Sequence, residues 1–146
     1  MIESALLHRI EAIVGGILIA SDTAGQVRGI PGAYVLLIEL AEPLRFERPA
    51  LGSAVLEGTL AYVGSACGGG GIGARLARHF RPDKPVRWHV DELTNRAVSM
   101  AALAVPQGGE CDLAAGLLAS GQFKPAMRGF GSSDCRGCLS HLFRPA

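Results

Sequence analysis

Apolar positions change period several times along the chain, and each change marks an element. Between residues 3 and 14, Leu6, Leu7, Ile10, Ile13 and Val14 recur at helical spacing, with Ser4 placed as an N-cap. Gly15 and Gly16 weaken a continuation, and Ile17-Leu18-Ile19 suits a strand start equally well. Ser21 to Gly32 is rich in turn residues. Tyr34 to Leu40 (YVLLIEL) is a run of apolar, aromatic and β-branched residues of strand length, which predicts a buried strand. Ala41 to Gly58 carries two prolines and mixed charge, and reads as a loop with a short strand around Ser53 to Leu56. Leu60 to Gly64 (LAYVG) reads as the partner strand. It leads into Ser65 to Gly73, which holds five glycines and opens a helix over Ile72 to Phe80. Arg81 to Pro85 is a basic turn, and Trp88 to Thr94 fits helix or strand. Ala97 to Val105 predicts a strand and Glu110 to Ser120 a helix. Gly129 to Gly137 is a turn-dense loop before a C-terminal stub. No internal repeat is present.

The 146 residues suit a single domain with its own core. A hydrophobic content of 49% with 18% charge excludes a disordered chain. With a net charge of +1, any nucleic-acid affinity has to come from a local patch. Ala12 to Ala20 is too short for a membrane span, which takes about 20 apolar residues. Glu3 stands where a secretory signal would be basic, so a cytoplasmic setting without membrane attachment is expected. In that setting the four cysteines, Cys67, Cys111, Cys135 and Cys138, are expected as thiols or metal ligands rather than disulfides.

Candidate chemistry falls in three places. Gly68 to Gly73 lies between a strand and a helix, where amides and the helix dipole favour an anion. It lacks the Lys-Ser or Lys-Thr of a phosphate-binding P-loop and is as readily a plain turn. Arg75, Arg78 and His79 then share one helix face, with Lys84 and Arg87 following: either a solvated basic face or a phosphate-binding surface. His89 and Asp91, two apart on a possible strand, would face one side; they would line a groove or bond each other. Trp88 suits stacking on an unpaired base or a place in the core. Cys135-x-x-Cys138-x-x-His141 has donor types and local spacing for zinc, with Cys111, His79 or His89 as a fourth ligand. The alternatives are a packed reduced cluster and a redox pair.

Gly32-Ala33-Tyr34 and Tyr62-Val63-Gly64, followed by Arg75, His79 and Glu110, resemble the dispersed signature of the GIY-YIG nuclease superfamily. Tyr62-Val63-Gly64-Ser65-Ala66, the glycines and Arg75-Leu76-Ala77-Arg78-His79-Phe80 are similar to its second strand and following helix. Trp88-His89-Val90-Asp91 and Gly129 through His141-Leu142-Phe143 resemble one branch, a domain found alone or attached to DNA-glycosylase-type repair proteins. The likeness runs from about residue 30 to 143. It implies an α+β fold: a small, mainly antiparallel sheet of three or more strands flanked by helices, over residues 30–146. Residues 1–29 form an N-terminal extension that would cap the sheet or make a dimer contact.

By the same resemblance, Tyr34, Tyr62, Arg75, His79 and Glu110 are catalytic, and Glu110 holds one Mg²⁺ or Mn²⁺. Tyr34 would take a proton from water, Arg75 would grip phosphoryl oxygens, and Tyr62 or His79 would position the water. Gly64, Ser65, Arg78, Lys84, Arg87, Trp88 and His89 would contact nucleic acid, most readily DNA. Three departures stand out. Ala33 replaces a bulkier residue, Ala41 to Gly58 must loop out for the two tyrosine strands to pair, and the asparagine expected after Glu110 is missing, with Asn95 preceding it. The leading expectation is a repair-linked or structure-selective, metal-dependent endonuclease, alone, as a homodimer or with a repair-protein partner. A non-catalytic nucleic-acid-binding module and a zinc-stabilised interaction domain are the alternatives.

Overall fold

The computed structural model describes residues 1–132, 135 and 137–146. Ser133, Asp134 and Arg136, in the turn-dense Gly129 to Gly137 loop, lie outside the described residues. Helix α1 (Ser4–Val14) leads to β1 (Ile17–Ile19), a 3-10 turn (Ala24–Val27) and β2 (Gly32–Leu40). A hairpin of β3 (Leu44–Arg48) and β4 (Gly52–Leu56) precedes β5 (Thr59–Ala66), α2 (Gly71–Phe80) and α3 (His89–Thr94). Then come β6 (Ala97–Pro106), α4 (Glu110–Ala119), β7 (Phe123–Pro125) and β8 (Leu142–Pro145). Among the described residues, no helix is long and apolar enough to cross a membrane.

The architecture is α+β. Six strands form one sheet in the order β1-β6-β2-β5-β8-β7, every pairing antiparallel. The unbroken apolar run of β2 follows from its central place with both faces covered. Tyr34, Leu36, Ile38 and Leu40 join the core beneath α2, α3 and the hairpin, while Ala33, Val35 and Leu37 join the core beneath α1 and α4. Residues 41–58 do loop out: β3 and β4 pair with each other as a separate ribbon, and β2 and β5 meet in register behind it. The extension before residue 29 supplies α1, which packs beside α4, and β1, which pairs with β6 at one edge of the sheet.

Several local expectations change. Ser4 is the first residue of α1 rather than its cap; Glu3 holds that position without a side-chain bond. Leu44–Arg48 is a strand, its Leu44 and Phe46 buried and the residues between them exposed. The C-terminal stub is β8, which pairs with both β5 and β7. Residues 89–94 are helical, because the Asp91 carboxylate reaches back to accept the backbone N–H groups of Arg87 and Trp88 at 2.8 Å each. His89 and Asp91 therefore diverge: His89 is exposed and Asp91 fully buried.

The glycine-rich run closes a packing contact. A Cβ on Gly73 would sit 2.5 Å from the Arg28 backbone nitrogen and 2.6 Å from the Ala24 carbonyl oxygen, so α2 can lie against the 3-10 turn only with glycine there. The amides at its start are already bonded: Gly71 N–H to the Gly68 carbonyl and Ile72 N–H to the Ile30 carbonyl. Neither of these two amides is free to hold a phosphate.

Candidate functional site

A groove of about 340 Å³ opens where β2, β5, α2, α3, α4 and the loop before β8 converge. Tyr34, Tyr62, Arg75 and Glu110 all line it, together with Gly64, Ser65, Arg87, Trp88 and His89. Residues scattered from 34 to 110 thus share one space. Register explains the pairing of the two tyrosine strands. Tyr34 stands directly opposite Gly64, and Leu36 opposite Tyr62.

Gly64 has a steric role. A Cβ there would lie 2.4 Å from the Tyr34 hydroxyl and 2.5 Å from its Cζ. The missing side chain lets the Tyr34 ring cross its partner strand and reach α2, where its hydroxyl meets Nε2 of His79 at 2.7 Å. Both partners are buried, at 1% and 0% exposure. Burial, then the neighbouring Tyr62, raises the Tyr34 pKa well above 10, with Arg75 opposing. Burial and then Glu110 push Tyr62 up to about 12. Burial brings His79 down to about 3, with Asp91 opposing and Lys84, Arg75 and Arg78 reinforcing. At neutral pH the unit is two phenols and one neutral imidazole. His79 lies behind Tyr34 rather than on the groove wall, and its Nδ1 has no hydrogen-bond partner among the described residues.

The basic residues divide into those held by the fold and those facing the groove. Arg78 makes a bidentate pair with Asp91 at 2.7 and 2.9 Å. Burial alone would raise the Asp91 pKa, but Arg78 and the Trp88 and Arg87 amides hold it down at about 2. The guanidinium groups of Arg75 and Arg78 lie over the Trp88 ring, 4.6 and 4.2 Å from its centroid. Lys84 departs from the nucleic-acid role expected of it. It is 5% exposed, and its ammonium donates to the carbonyls of His79 and Arg81 and to Oδ1 of Asn95. It caps the end of α2 instead of reaching for a phosphate. Asn95 is likewise committed, donating back to the Lys84 carbonyl. Arg75 and Arg87 form no ion pair among the described residues.

Two groups missed by sequence reasoning shape the groove. Asp91, read only as a companion of His89, anchors α2 to α3; an acidic residue at the third helical position was the available signal. Phe130 packs against Phe46, Tyr62 and His89, with ring centroids 5.0 to 6.3 Å apart. The Arg48–Glu92 ion pair, at 2.7 Å, ties the hairpin to α3 beside it.

Glu110 is the single carboxylate on the groove wall among the described residues, part-exposed, at the first turn of α4. One oxygen-donor carboxylate open to water suits Mg²⁺ or Mn²⁺, which keep several waters. Behind it, Cys111, Cys135, Cys138 and His141 place one donor atom each within 4.8 Å of one another. Of the three candidate fourth ligands, Cys111 is the one brought in. His79 is bonded to Tyr34, and His89 packs against Phe46 and Phe130. The cluster has the donor set of a metal site.

Residues 33–146 match the model of a domain of unknown function, DUF123, and the chain belongs to that family. No curated protein and no solved structure matches the chain.

Proposed function

We propose that this DUF123 domain is a divalent-metal-dependent endonuclease of the GIY-YIG type, cutting DNA in a repair-linked or structure-selective role. The observation that carries this reading is the convergence of Tyr34, Tyr62, Arg75 and Glu110 on one groove. Hydrolysis breaks one P–O ester bond as a water oxygen attacks phosphorus; the displaced ester oxygen leaves with the bond pair and takes a proton from solvent. Arg75, planar and without an ion partner among the described residues, is placed to hold the non-bridging oxygens and the charge that builds on them. The water's proton passes to the Tyr34 oxygen while the Tyr34 proton moves to Nε2 of His79, already 2.7 Å away. Negative phosphate in the groove offsets the cost of the buried imidazolium. Glu110 would hold the divalent cation, which would supply charge neutralisation beside the phosphate. Trp88 lines the groove with the Arg75 and Arg78 guanidiniums over its ring, where an unpaired base would meet an aromatic and cationic wall.

In this reading the domain has two chemically distinct metal positions. Glu110 offers a hard oxygen to Mg²⁺ or Mn²⁺, whereas three sulfurs and an imidazole match zinc.

The test is cleavage of labelled single-stranded, duplex, flap and branched DNA, with RNA alongside, under Mg²⁺ or Mn²⁺. Wild type should cut, while Glu110→Ala and Arg75→Ala should lose about 100-fold or more in rate with unchanged folding. Cutting by both variants at the wild-type rate overturns the mechanism. DNA binding without cutting under any metal establishes the non-catalytic module instead.

A further inference from the structure

We infer that a zinc ion held by Cys111, Cys135, Cys138 and His141 clamps the first turn of α4 to the loop before β8 and so sets the position of Glu110. The ligands come from two separate parts of the chain. Cys111 is the second residue of α4, and the other three belong to the loop that returns to β8. The cluster's own sulfurs aside, nothing polar among the described residues joins α4's first turn to this loop more closely than His141 Nδ1 and Glu110 Oε2. These stand 3.7 Å apart, beyond hydrogen-bond length. A metal would supply the missing link.

His141 is the independent sign that a ligand belongs here. The ring is 1% exposed, and among the described residues neither of its nitrogens has a hydrogen-bond partner. Buried polar atoms are satisfied as a rule, so two orphans on one ring ask for an occupant. Nδ1 faces Glu110, which leaves Nε2 to the metal. A zinc-bound histidine turns its other N–H toward a carboxylate, fixing the ring and the acid together. Tetrahedral zinc with Zn–S near 2.3 Å and Zn–N near 2.0 Å needs donors about 3.5 to 3.8 Å apart; all four lie within 4.8 Å of one another, and the Cys135 and Cys138 sulfurs, 3.0 Å apart, would open by less than about 1 Å around an ion. Cys135 also lines the groove, so the metal would sit immediately behind the wall that carries Glu110.

The clamp stands on the cluster alone; its consequence for Mg²⁺ or Mn²⁺ binding rests on the nuclease reading. The full chain is purified from zinc-supplemented medium, and its metals are measured by mass spectrometry beside Cys138→Ser and Cys67→Ser. Cys67 is exposed and outside the cluster. Amide hydrogen exchange then compares zinc-loaded wild type with Cys138→Ser. Wild type stripped by chelator and reloaded with zinc covers the case of a variant that folds poorly. We expect about one zinc per chain in wild type and Cys67→Ser, and little in Cys138→Ser. On zinc removal the first turn of α4 should exchange roughly tenfold faster, with β2 and β6 unchanged, and reloading should reverse it. Wild type without zinc overturns the proposal. Zinc present with unaltered α4 exchange overturns the clamp. DNA cutting is read in neither arm, so failure of the nuclease reading shows separately.

Discussion

Gly64→Ala tests whether the second tripeptide ends in glycine for the reason the geometry gives. The added methyl would lie 2.4 Å from the Tyr34 hydroxyl, 2.5 Å from Cζ and 2.9 Å from Cε2. To regain ordinary contact near 3.5 Å, the ring must retreat by roughly 1 Å. Tyr34 is 1% exposed, so the retreat compresses packed neighbours, at about 1–3 kcal/mol. It also stretches the bond to His79, leaving two buried polar groups mispaired at about 1–3 kcal/mol. Relaxation lets the two costs overlap, so the expected loss is about 3 kcal/mol, equivalent to roughly 6–12 °C in Tm for a domain of this size. Calorimetry measures it without reference to activity. Tyr34→Phe already lacks the hydroxyl bond, so the double variant should fall short of additivity by about 1 kcal/mol. Where cutting is measured, a 1 Å displacement of Tyr34 should cost about 100-fold. A Tm loss under about 2 °C, or strict additivity with Tyr34→Phe, refutes this account of Gly64.

The charges behind the groove give two more expectations. The Asp91 carboxyl, ordinarily near 3.8, is held at about 2 in the folded chain. A depressed acid stabilises fully above its unfolded pKa and loses that contribution as pH falls through the folded value. The stability gap between wild type and Asp91→Asn should therefore shrink by about 2 kcal/mol from pH 5 to pH 2, and a gap constant with pH contradicts it. Lys84→Met leaves the His79 and Arg81 carbonyls and Asn95 without their donor, so it should cost about 2 kcal/mol in urea unfolding. The salt dependence of its DNA binding should match wild type; a shallower slope with intact stability would restore Lys84 as a phosphate ligand.

What could be read from the sequence depended on pattern length. β2, β5, β6, α2 and α4 each carry a run long enough for periodicity to decide, and all appear within about two residues of expectation. Leu44–Arg48 alternates correctly over only five residues amid charge, so its pairing with β4 was hidden. β7 and β8 have three and four residues and contain prolines, which mask short strands away from the sheet centre. The grouping of Tyr34, Tyr62, Arg75 and Glu110 was legible through the family resemblance and not through spacing. No local period relates two strands to two helices. The division of the cations was illegible altogether. Arg78 and Lys84 look like their neighbours in sequence, and only the positions of Asp91 and Asn95 commit them to the fold.

That commitment changes what the near-neutral net charge means. Arg78 is neutralised by Asp91, and Lys84 is enclosed by carbonyls, so neither adds freely to the field over the groove. Arg75 and Arg87 line it without an ion partner among the described residues, and Glu110 is the one acid on the same wall. Two cations attract DNA weakly compared with the broad basic faces of proteins that grip duplex by charge. Under the nuclease proposal, affinity would then depend on shape and stacking: Trp88 on the groove wall, the concavity itself and a cation held by Glu110. Intact duplex keeps its bases stacked and would offer such a groove little. Strands with unpaired bases would enter it, so the nuclease proposal carries the expectation of branched, flapped or single-stranded DNA over continuous duplex.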